Sequence, residues 1–186
     1  MVSPGSMGEG KVYVRSMIPG DAQVIPTISL SFETQWVWQM EYKASDEGVS
    51  TLFRPVRLPR ALKVDPPVDW KWLADWQKRE LVLVAVAVKD VVGYLELGIG
   101  WEKGQGWVNH MAVQGLLRRR GIASLLIAEA KRWAKKRQLV GLMAETQTKN
   151  YPAIRLFQKC GFRFCGFNDH LYPTKEIALF FSQDLV

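Results

Sequence analysis

The sequence predicts a mixed α/β fold in which helices flank a central β-sheet. Three observations carry this prediction. Over the second half of the chain, short apolar segments of strand character alternate with two segments of helical periodicity. The chain closes on two further strand-like segments, residues 162–167 and 177–181. Its 186 residues, 48% of them hydrophobic, are enough to bury the core of one domain without disulfide or metal staples.

The N-terminus and the cysteines indicate how far the domain extends and where it works. The first ten residues, MVSPGSMGEG, are small and turn-prone, so we expect a disordered or vector-derived tail before a single domain over residues 11–186. The longest apolar run, residues 81–88, is far shorter than the roughly 20 residues that cross a bilayer. No signal-peptide pattern is present, and Cys160 and Cys165 fit neither a disulfide framework nor a metal site. We therefore expect a cytoplasmic protein with no membrane association and no metal.

The first half of the domain is predicted to contain a β-hairpin. Residues 28–42 alternate polar residues with β-branched and aromatic ones, which is typical of a strand. A turn at residues 46–49 leads to a second strand over 51–57, and Pro59 is expected to end that strand.

The middle of the chain is predicted to hold a short helix and a buried hairpin. Residues 69–80 carry Trp and Leu at helical spacing, with Asp69 in the position of an N-cap. Residues 81–88 and 91–99 are nearly continuous apolar runs, which indicates two buried strands joined by a tight turn at residues 89–90.

The last part of the domain carries the clearest pattern. A loop over residues 100–106 and a strand over 107–113 precede the strongest helix signal, residues 121–137. A strand over 139–146 and a short helix over 152–159 follow. The predicted buried face of the long helix consists of Ile122, Leu125, Leu126, Ala130, Trp133 and Ala134.

The positive charge of the chain is concentrated rather than spread. The net charge is +7, from 25 Lys and Arg against 18 Asp and Glu. One stretch, in which Glu129 is the only acidic residue, contains Arg118, Arg119, Arg120, Lys131, Arg132, Lys135, Lys136 and Arg137. This distribution indicates a localised anionic partner, and by itself it does not separate a nucleic acid from a phosphorylated small molecule.

Within that stretch, a strand and an Arg-rich turn lead through a glycine into the helix. Gly121 lies where the helix begins, so the backbone N–H groups around it have no partner within the helix. Such a helix end attracts phosphate, and the missing Cβ allows an anion to approach closely. Residues 118–123 therefore predict an anion site.

The residues of this turn resemble a family signature. Arg118-x-x-Gly121-x-Ala123 matches the acetyl-coenzyme A motif of the GNAT N-acetyltransferases. Further segments are similar to the same family in order, and several resemble its streptothricin acetyltransferase branch. These segments are Met111-Ala112-Val113, Glu145-Thr146-Gln147, Asn150-x-Pro152-Ala153-Ile154, Cys160-Gly161-Phe162, Leu171-Tyr172 and residues 176–180. The resemblance is strong over residues 81–186 and loose over 11–80.

The resemblance implies a GNAT-type mixed sheet, partly splayed, with an acetyl-CoA site. The cofactor would lie where the strands over 107–113 and 139–146 separate, and backbone N–H groups of residues 118–123 would hold its pyrophosphate. The implied cofactor-binding residues are Met111, Ala112, Val113, Arg118, Arg119, Arg120, Gly121, Ile122, Ala123, Asn150, Ala153 and Phe157.

Direct attack by a primary amine on the thioester, as the resemblance implies, requires a base. An amine with a pKa of about 10.4 is neutral in only about one molecule in 10³ at pH 7. The candidate catalytic residues are His110, Glu145 and Tyr172, with Glu96 and Tyr151 as alternatives. His110 would need a bulge in its strand to reach the site. The position that usually carries an acid tyrosine in this family holds Phe157.

We thus expect an N-acetyltransferase that moves an acetyl group from acetyl-CoA to a primary amine, with a small molecule as acceptor. Two other functions stay open. One is a CoA-binding protein with little turnover, because Phe157 replaces the acid, and the other is a basic domain that binds nucleic acid. The acceptor pocket is expected over residues 28–60, 100–106 and 168–175, and the resemblance leaves a homodimer open.

Overall fold

The structure is a computed structural model that describes residues 11–100 and 104–185. The expected tail over residues 1–10 lies outside these residues, as does the 101–103 part of the expected loop. In chain order the strands and α-helices are β1 (Tyr13–Ser16), β2 (Phe32–Ser45), β3 (Gly48–Val64), β4 (Leu81–Ala87), β5 (Asp90–Ile99), β6 (Gln105–Val113), α1 (Ile122–Lys136), β7 (Gly141–Gln147), α2 (Tyr151–Lys159), β8 (Arg163–Asn168) and β9 (Ala178–Asp184). Between them lie the 3₁₀-helices Pro19–Gln23, Ile25–Thr27, Trp70–Lys78 and Gly115–Leu117. No helix in the described part of the chain is long and apolar enough to cross a membrane.

The central sheet is mixed. Within the described residues, seven strands form one sheet in the order β1-β4-β5-β6-β7-β9-β8, while β2 and β3 pair in a separate ribbon. All neighbouring strands of the main sheet are antiparallel except β6 and β7, which run parallel. The predicted mixed α/β fold is confirmed.

The parallel pair opens into a gap. Its register stops at the pair Val108–Ala144, although β6 continues to Val113 and β7 to Gln147. Beyond that pair, β6 keeps only β5 as a neighbour and β7 keeps only β9. The sheet is therefore partly splayed, as expected, and two strand edges face each other across the gap.

The main sheet has two apolar faces with different cover. Side chains of β4 alternate between them, because successive residues of a strand point to opposite sides. Leu83 and Ala85 pack with α1 and α2 on what we call the helix face. Val84 and Val86 pack with Trp72 and the N-terminal 3₁₀-helices on the opposite side, which we call the tryptophan face. The gap between β6 and β7 therefore connects two different environments.

The β2–β3 ribbon is longer than the sequence predicts. β2 begins at Phe32 instead of residue 28, because the chain before it forms the 3₁₀-helix Ile25–Thr27 around Pro26. β3 runs to Val64, so the expectation that Pro59 ends the strand is wrong. Pro59 lies between Arg57 and Leu62, where the register with β2 shifts and no pairing is made, and a proline without an N–H is tolerated at such an irregularity.

The segment after the ribbon is a 3₁₀-helix, Trp70–Lys78, and not the α-helix the spacing favours. The predicted cap is present, since the Asp69 side chain accepts a hydrogen bond from the Lys71 N–H at 2.9 Å. The backbone of Asp75 leaves helical geometry, which divides the segment into two short tight turns. This geometry brings Trp72 onto the sheet, where it is buried.

Two further expectations need correction. On α1, Leu125 is 46% exposed while Ile127 is 1% exposed, so the buried stripe runs through Ile127. Ile127 packs in the core of the helix face together with Ile122, Leu126 and Ala130. The expected loop over residues 100–106 is shorter, because β6 already begins at Gln105, whose carbonyl accepts the Gly100 N–H at 2.9 Å.

Candidate active site

On the helix face, the mouth of the gap is formed by the end of β6 and the start of α1. β6 ends at Val113, the 3₁₀-turn Gly115–Leu117 follows, and α1 begins at Ile122. The part of β6 that has lost its parallel neighbour contains the predicted cofactor residues Met111, Ala112 and Val113. The structure therefore places the predicted strand edge and the predicted anion turn next to each other.

The N-terminus of α1 is uncapped and open. Gly121 is its N-cap residue, with a φ of +86° and no side chain bonded to the helix end. A Cβ at Gly121 would meet no atom within 4 Å, so the glycine is required by backbone conformation and not by packing. The N–H groups of the first turn, including those of Ile122 and Ala123, have no partner within the helix. This end can bind a phosphate through its backbone and the helix dipole.

The three arginines of the turn differ in what they contact. The half-buried Arg118 guanidinium donates to three backbone carbonyls, and the Arg118 N–H donates to the Gly115 carbonyl at 3.3 Å. Arg119 and Arg120 are exposed. The hydrogen-bond donors that remain free to bind an anion therefore come after Arg118. This narrows the predicted phosphate site to residues 119–123.

The start of α2 forms the other wall of this mouth. The Asn150 side chain caps α2 by accepting the Ala153 N–H at 3.2 Å. Tyr151 stacks on Trp36 of β2, with ring centroids 6.1 Å apart. Phe157 is 4% exposed, and its ring lies 5.6 Å from that of Phe162 and 5.8 Å from that of Phe181. The structure thus gives Asn150 and Phe157 structural roles, and their cofactor contacts stay predictions.

On the tryptophan face, a bulge organises the polar residues. Glu96 of β5 pairs with His110 of β6, and Leu97 pairs with Val108, so Asn109 is an extra residue in β6. The bulge that His110 was expected to need is therefore present, and it places His110 on the same face as Glu96. Asn109 is exposed, so the polar cluster reaches the surface of this face.

Glu96 is a buried carboxylate. It is 1% exposed, and neither of its oxygens has a hydrogen-bond partner within 11–100 and 104–185. Burial raises the pKa of Glu96, while the neighbouring Asn109 amide and Arg79 guanidinium act to lower it. Buried carboxylates without full hydrogen bonding are costly, and raised pKa values of this kind are frequent at functional sites.

His110 packs against the indole of Trp72. The two rings are nearly parallel, with an interplanar angle of 9° and centroids 5.2 Å apart. Burial and, secondarily, the Arg79 charge lower the pKa of His110, which Asp69 partly opposes. The imidazole is therefore neutral at pH 7.

A second carboxylate lies directly at the gap. Glu145 follows Ala144, the last residue of β7 that pairs with β6, and points away from the helix face, toward which Ala144 packs. The Tyr172 hydroxyl donates a hydrogen bond to Glu145 Oε1 at 2.5 Å. Burial, followed by this interaction, raises the pKa of Tyr172, so the phenol stays protonated. The structure thus brings together two of the three predicted catalytic residues.

Much of the basic stretch on α1 is engaged within the protein. Lys131 donates to the Cys160 carbonyl, and its ammonium lies 5.4 Å from the Phe162 ring centroid. Arg132 pairs with Glu129, and Arg137 lies 4.7 Å from the Trp133 ring centroid. These contacts reduce the surface that a nucleic acid would need.

The sequence matches the Acetyltransferase (GNAT) family over residues 47–162. The chain belongs to this family. The resemblance drawn from the motif is confirmed, and so is the predicted enzyme class, an N-acetyltransferase.

Individual relatives share more than the family motif. The chain is 40% identical to the streptothricin acetyltransferase of Escherichia coli over 87 residues, which cover 47% of this chain and 49% of that protein. It thus matches about half the length of that relative. It is 28% identical to the streptothricin acetyltransferase of Streptomyces lavendulae over 184 residues, covering 93% of this chain and 95% of that one.

Solved structures share the fold. A nourseothricin acetyltransferase superposes with a TM-score of 0.80 at 24% identity, covering 94% of this chain and 99% of that one. A protein from Bacillus anthracis str. Ames, solved in complex with acetyl coenzyme A, superposes with a TM-score of 0.77 at 22% identity, covering 95% and 99%. The fold observed here is therefore one that binds acetyl-CoA in a solved example.

Sequence reasoning missed three residues of the tryptophan face. The sequence predicts only a helix around Trp72, and it predicts no contact for Arg79 or Asn109. All three act through tertiary contacts, with Glu96 or His110 as the neighbour. No local pattern marks such contacts. Asn109 could have been found from the bulge that the family resemblance implies.

Proposed function

We propose that this enzyme transfers the acetyl group of acetyl-CoA to a primary amine of a small cationic molecule, in a ternary complex without an acyl-enzyme. One observation carries the proposal: the gap between β6 and β7 has an open helix N-terminus on one face and carboxylates on the other. An anionic acyl donor and a cationic acceptor can thus reach one point from opposite sides. The names of the relatives support an aminated antibiotic as the acceptor.

On the helix face, backbone groups hold the donor. The N–H groups of residues 119–123 bind the pyrophosphate, and the unpaired edge of β6 at Met111–Val113 bonds the pantetheine arm. Arg119 and Arg120 add charge near the phosphates. The thioester then lies in the gap, where a strand N–H stabilises the oxyanion of the tetrahedral intermediate.

On the tryptophan face, the two carboxylates have different roles. Glu145 has one oxygen bonded to Tyr172, and its other oxygen is the direct partner of the substrate ammonium. Glu96 is the proton acceptor, reached through one water beside Asn109, because burial makes its carboxylate a stronger base than an exposed one. His110 and Trp72 form an uncharged wall beside this path.

The bond changes follow from this placement. The substrate ammonium first releases one proton to water, and the neutral amine nitrogen then forms a bond to the thioester carbon. A second proton, lost from that nitrogen in the tetrahedral intermediate, passes to Glu96, and the carbon–sulfur bond breaks with its electron pair on sulfur. We assign protonation of the thiolate to the phenol of Tyr172, which stays protonated beside Glu145. Since a thiol has a pKa near 8.5, this protonation assists release without being essential.

We place the enzyme in the cytoplasm. Both cysteines in the described residues, Cys160 and Cys165, are free thiols, and Cys165 is exposed. Exposed free thiols persist in a reducing compartment. The same compartment would supply acetyl-CoA to the site.

The test is an acetyl-transfer assay with purified protein and acetyl-CoA. Streptothricin, nourseothricin, a polyamine and a lysine-containing peptide are supplied in turn, and free CoA and acetylated product are measured together. We expect stoichiometric CoA and acetyl product with a small cationic amine, and weak turnover with the peptide. Tight acetyl-CoA binding without release on any amine would instead support the rival function of a CoA-binding protein with little turnover.

A further inference from the structure

Arg118 makes an unusual set of contacts for a residue of an anion-binding motif. Its guanidinium Nε donates to the Val113 carbonyl at 2.8 Å, Nη1 to the Ser31 carbonyl at 2.5 Å, and Nη2 to the Ser29 carbonyl at 2.5 Å. All three nitrogens thus bond to backbone, and the group is half-buried. The family motif predicts a phosphate-binding turn here, whereas this side chain points to protein.

The carbonyls belong to two regions that are far apart in sequence and lie on different sides of the gap. Val113 is the last residue of β6, at the opening of the gap on the helix face, which we call the donor mouth. Residues 29–31 follow the 3₁₀-helix Ile25–Thr27, and Ile25 and Ile28 pack into the core of the tryptophan face with Trp72 and Ala112. Arg118 therefore bridges the donor mouth and the acceptor side.

Residues 29–31 are also held by packing and by hydrogen bonds: Leu30 packs against the core of the tryptophan face, and the Ser31 N–H donates to the Ser29 hydroxyl at 3.1 Å. The Ser31 hydroxyl donates to Asp65, the residue that follows β3, at 2.6 Å. This bond joins the segment to the β2–β3 ribbon, which the sequence assigns to the acceptor pocket. A planar guanidinium can serve three carbonyls in fixed directions, whereas an ammonium would act as a single point charge. The bridge therefore depends on arginine and not on charge alone.

We propose that Arg118 is a positioning residue that fixes residues 29–31 against the end of β6 and thereby sets amine binding, while acetyl-CoA is held by the residues after it. This inference rests on the proposed acetyltransferase function. Within the motif, Arg118 then acts on binding of the amine acceptor, and the residues after it bind acetyl-CoA.

The test compares Arg118→Lys and Arg118→Gln with Arg120→Gln, in which the changed residue is exposed in the same turn. Calorimetry gives the acetyl-CoA Kd, and steady-state kinetics give the KM of the amine. For R118K we expect an acetyl-CoA Kd within twofold of the parent and an amine KM raised about tenfold. For R120Q we expect the opposite split, with the Kd raised about threefold. An R118K variant with a tenfold weaker acetyl-CoA Kd and an unchanged amine KM overturns the proposal in favour of a phosphate ligand.

Amide hydrogen exchange tests the contacts of Arg118 without a measurement of activity. The Thr27 and Ile28 N–H groups bond to the carbonyls of Val24 and Ile25. Their exchange reports whether the 3₁₀-turn that leads into residues 29–31 is held in place. We expect it to rise at least fivefold in R118K and R118Q and to stay at the parent value in R120Q. Unchanged exchange in both Arg118 variants contradicts the bridge, even if no amine is acetylated. Failure of the parent protein to acetylate any amine counts against the proposed function alone.

Discussion

The two mouths of the gap are built in different ways. In our proposal the donor mouth, on the helix face, binds acetyl-CoA through backbone N–H groups of a few consecutive residues, 119–123, at one uncapped helix end. The acceptor mouth, on the tryptophan face, is proposed to act through side chains from separate elements, with Glu96 on β5, His110 on β6, Glu145 on β7 and Tyr172 in the loop before β9. The first arrangement tolerates changes in most side chains, and the second depends on each side chain. We therefore expect substitutions at the two mouths to separate donor binding from turnover.

The largest expected effect is at Glu96. Glu96→Gln should lower kcat about 10³-fold, the usual range for loss of a proton acceptor, with the acetyl-CoA Kd within twofold of the parent. In the parent, kcat/KM should fall as the pH drops through the raised pKa of Glu96, and this limb should be missing in E96Q. Rates measured across pH check both points. Glu129→Gln is the control, since this half-buried carboxylate of α1 pairs with Arg132 outside the site, and a similar loss there would point to a general effect on the fold.

The same substitution has a stability consequence with a definite sign. Because the pKa of Glu96 is raised in the folded state, the folded protein binds more protons than the unfolded one between the ordinary and the raised pKa. Stability is therefore lost as the pH rises through that window. E96Q should remove this loss and be more stable than the parent at pH 8, by about 1 kcal/mol. A less stable E96Q in denaturant titrations at pH 8 would show that the carboxylate is structural.

The next effect is at the donor mouth. Gly121→Val should weaken acetyl-CoA binding about 100-fold, or ~2.8 kcal/mol, because a β-branched residue resists a φ of +86° and disturbs the helix start. Gly20→Val is the matched control, since a Cβ there also meets no atom within 4 Å but the φ is not positive. Calorimetry on both variants measures the difference. Equal acetyl-CoA affinities in the two variants would show that the backbone at residue 121 does not contribute to donor binding.

A smaller effect is expected at the Tyr172–Glu145 pair. Tyr172→Phe removes the 2.5 Å hydrogen bond, and we expect kcat to fall about tenfold, with stability lower by about 1 kcal/mol. Tyr151→Phe keeps the stacking on Trp36 and should lose less activity. Parallel kinetics and thermal unfolding of the two variants decide which tyrosine supplies the proton. A larger loss of kcat in Y151F than in Y172F would make Tyr151, and not Tyr172, the proton donor.

The smallest effect should come from the last turn of α1. Replacing the exposed Lys135 and Lys136 by Gln should weaken acetyl-CoA binding about twofold at low salt and not at 0.5 M salt, because exposed charges act at long range and are screened. Affinity titrations at the two salt concentrations test this. A tenfold loss that persists at high salt would make the helix surface part of the site.

The same contrast explains what could be predicted from sequence. The turn over residues 118–123, the apolar run of β4 and the order of strands and helices follow local rules, so the mixed sheet and the uncapped helix start at Gly121 could be predicted. The buried carboxylate, the stacking of Trp72 on His110 and the role of Arg118 depend on residues that the fold brings together from distant positions. The end of β3 was predicted wrongly for a similar reason, because Pro59 lies where β3 has no partner on β2, which depends on how the two strands pair.

The most direct test of the central claim is a calorimetric titration of the protein with acetyl-CoA at two salt concentrations. We predict one-to-one binding with a micromolar Kd that changes little with salt, because backbone N–H groups of one turn hold the pyrophosphate. The absence of binding at millimolar acetyl-CoA would contradict the donor site. Binding of DNA with steep salt dependence would then assign the basic stretch to nucleic acid instead.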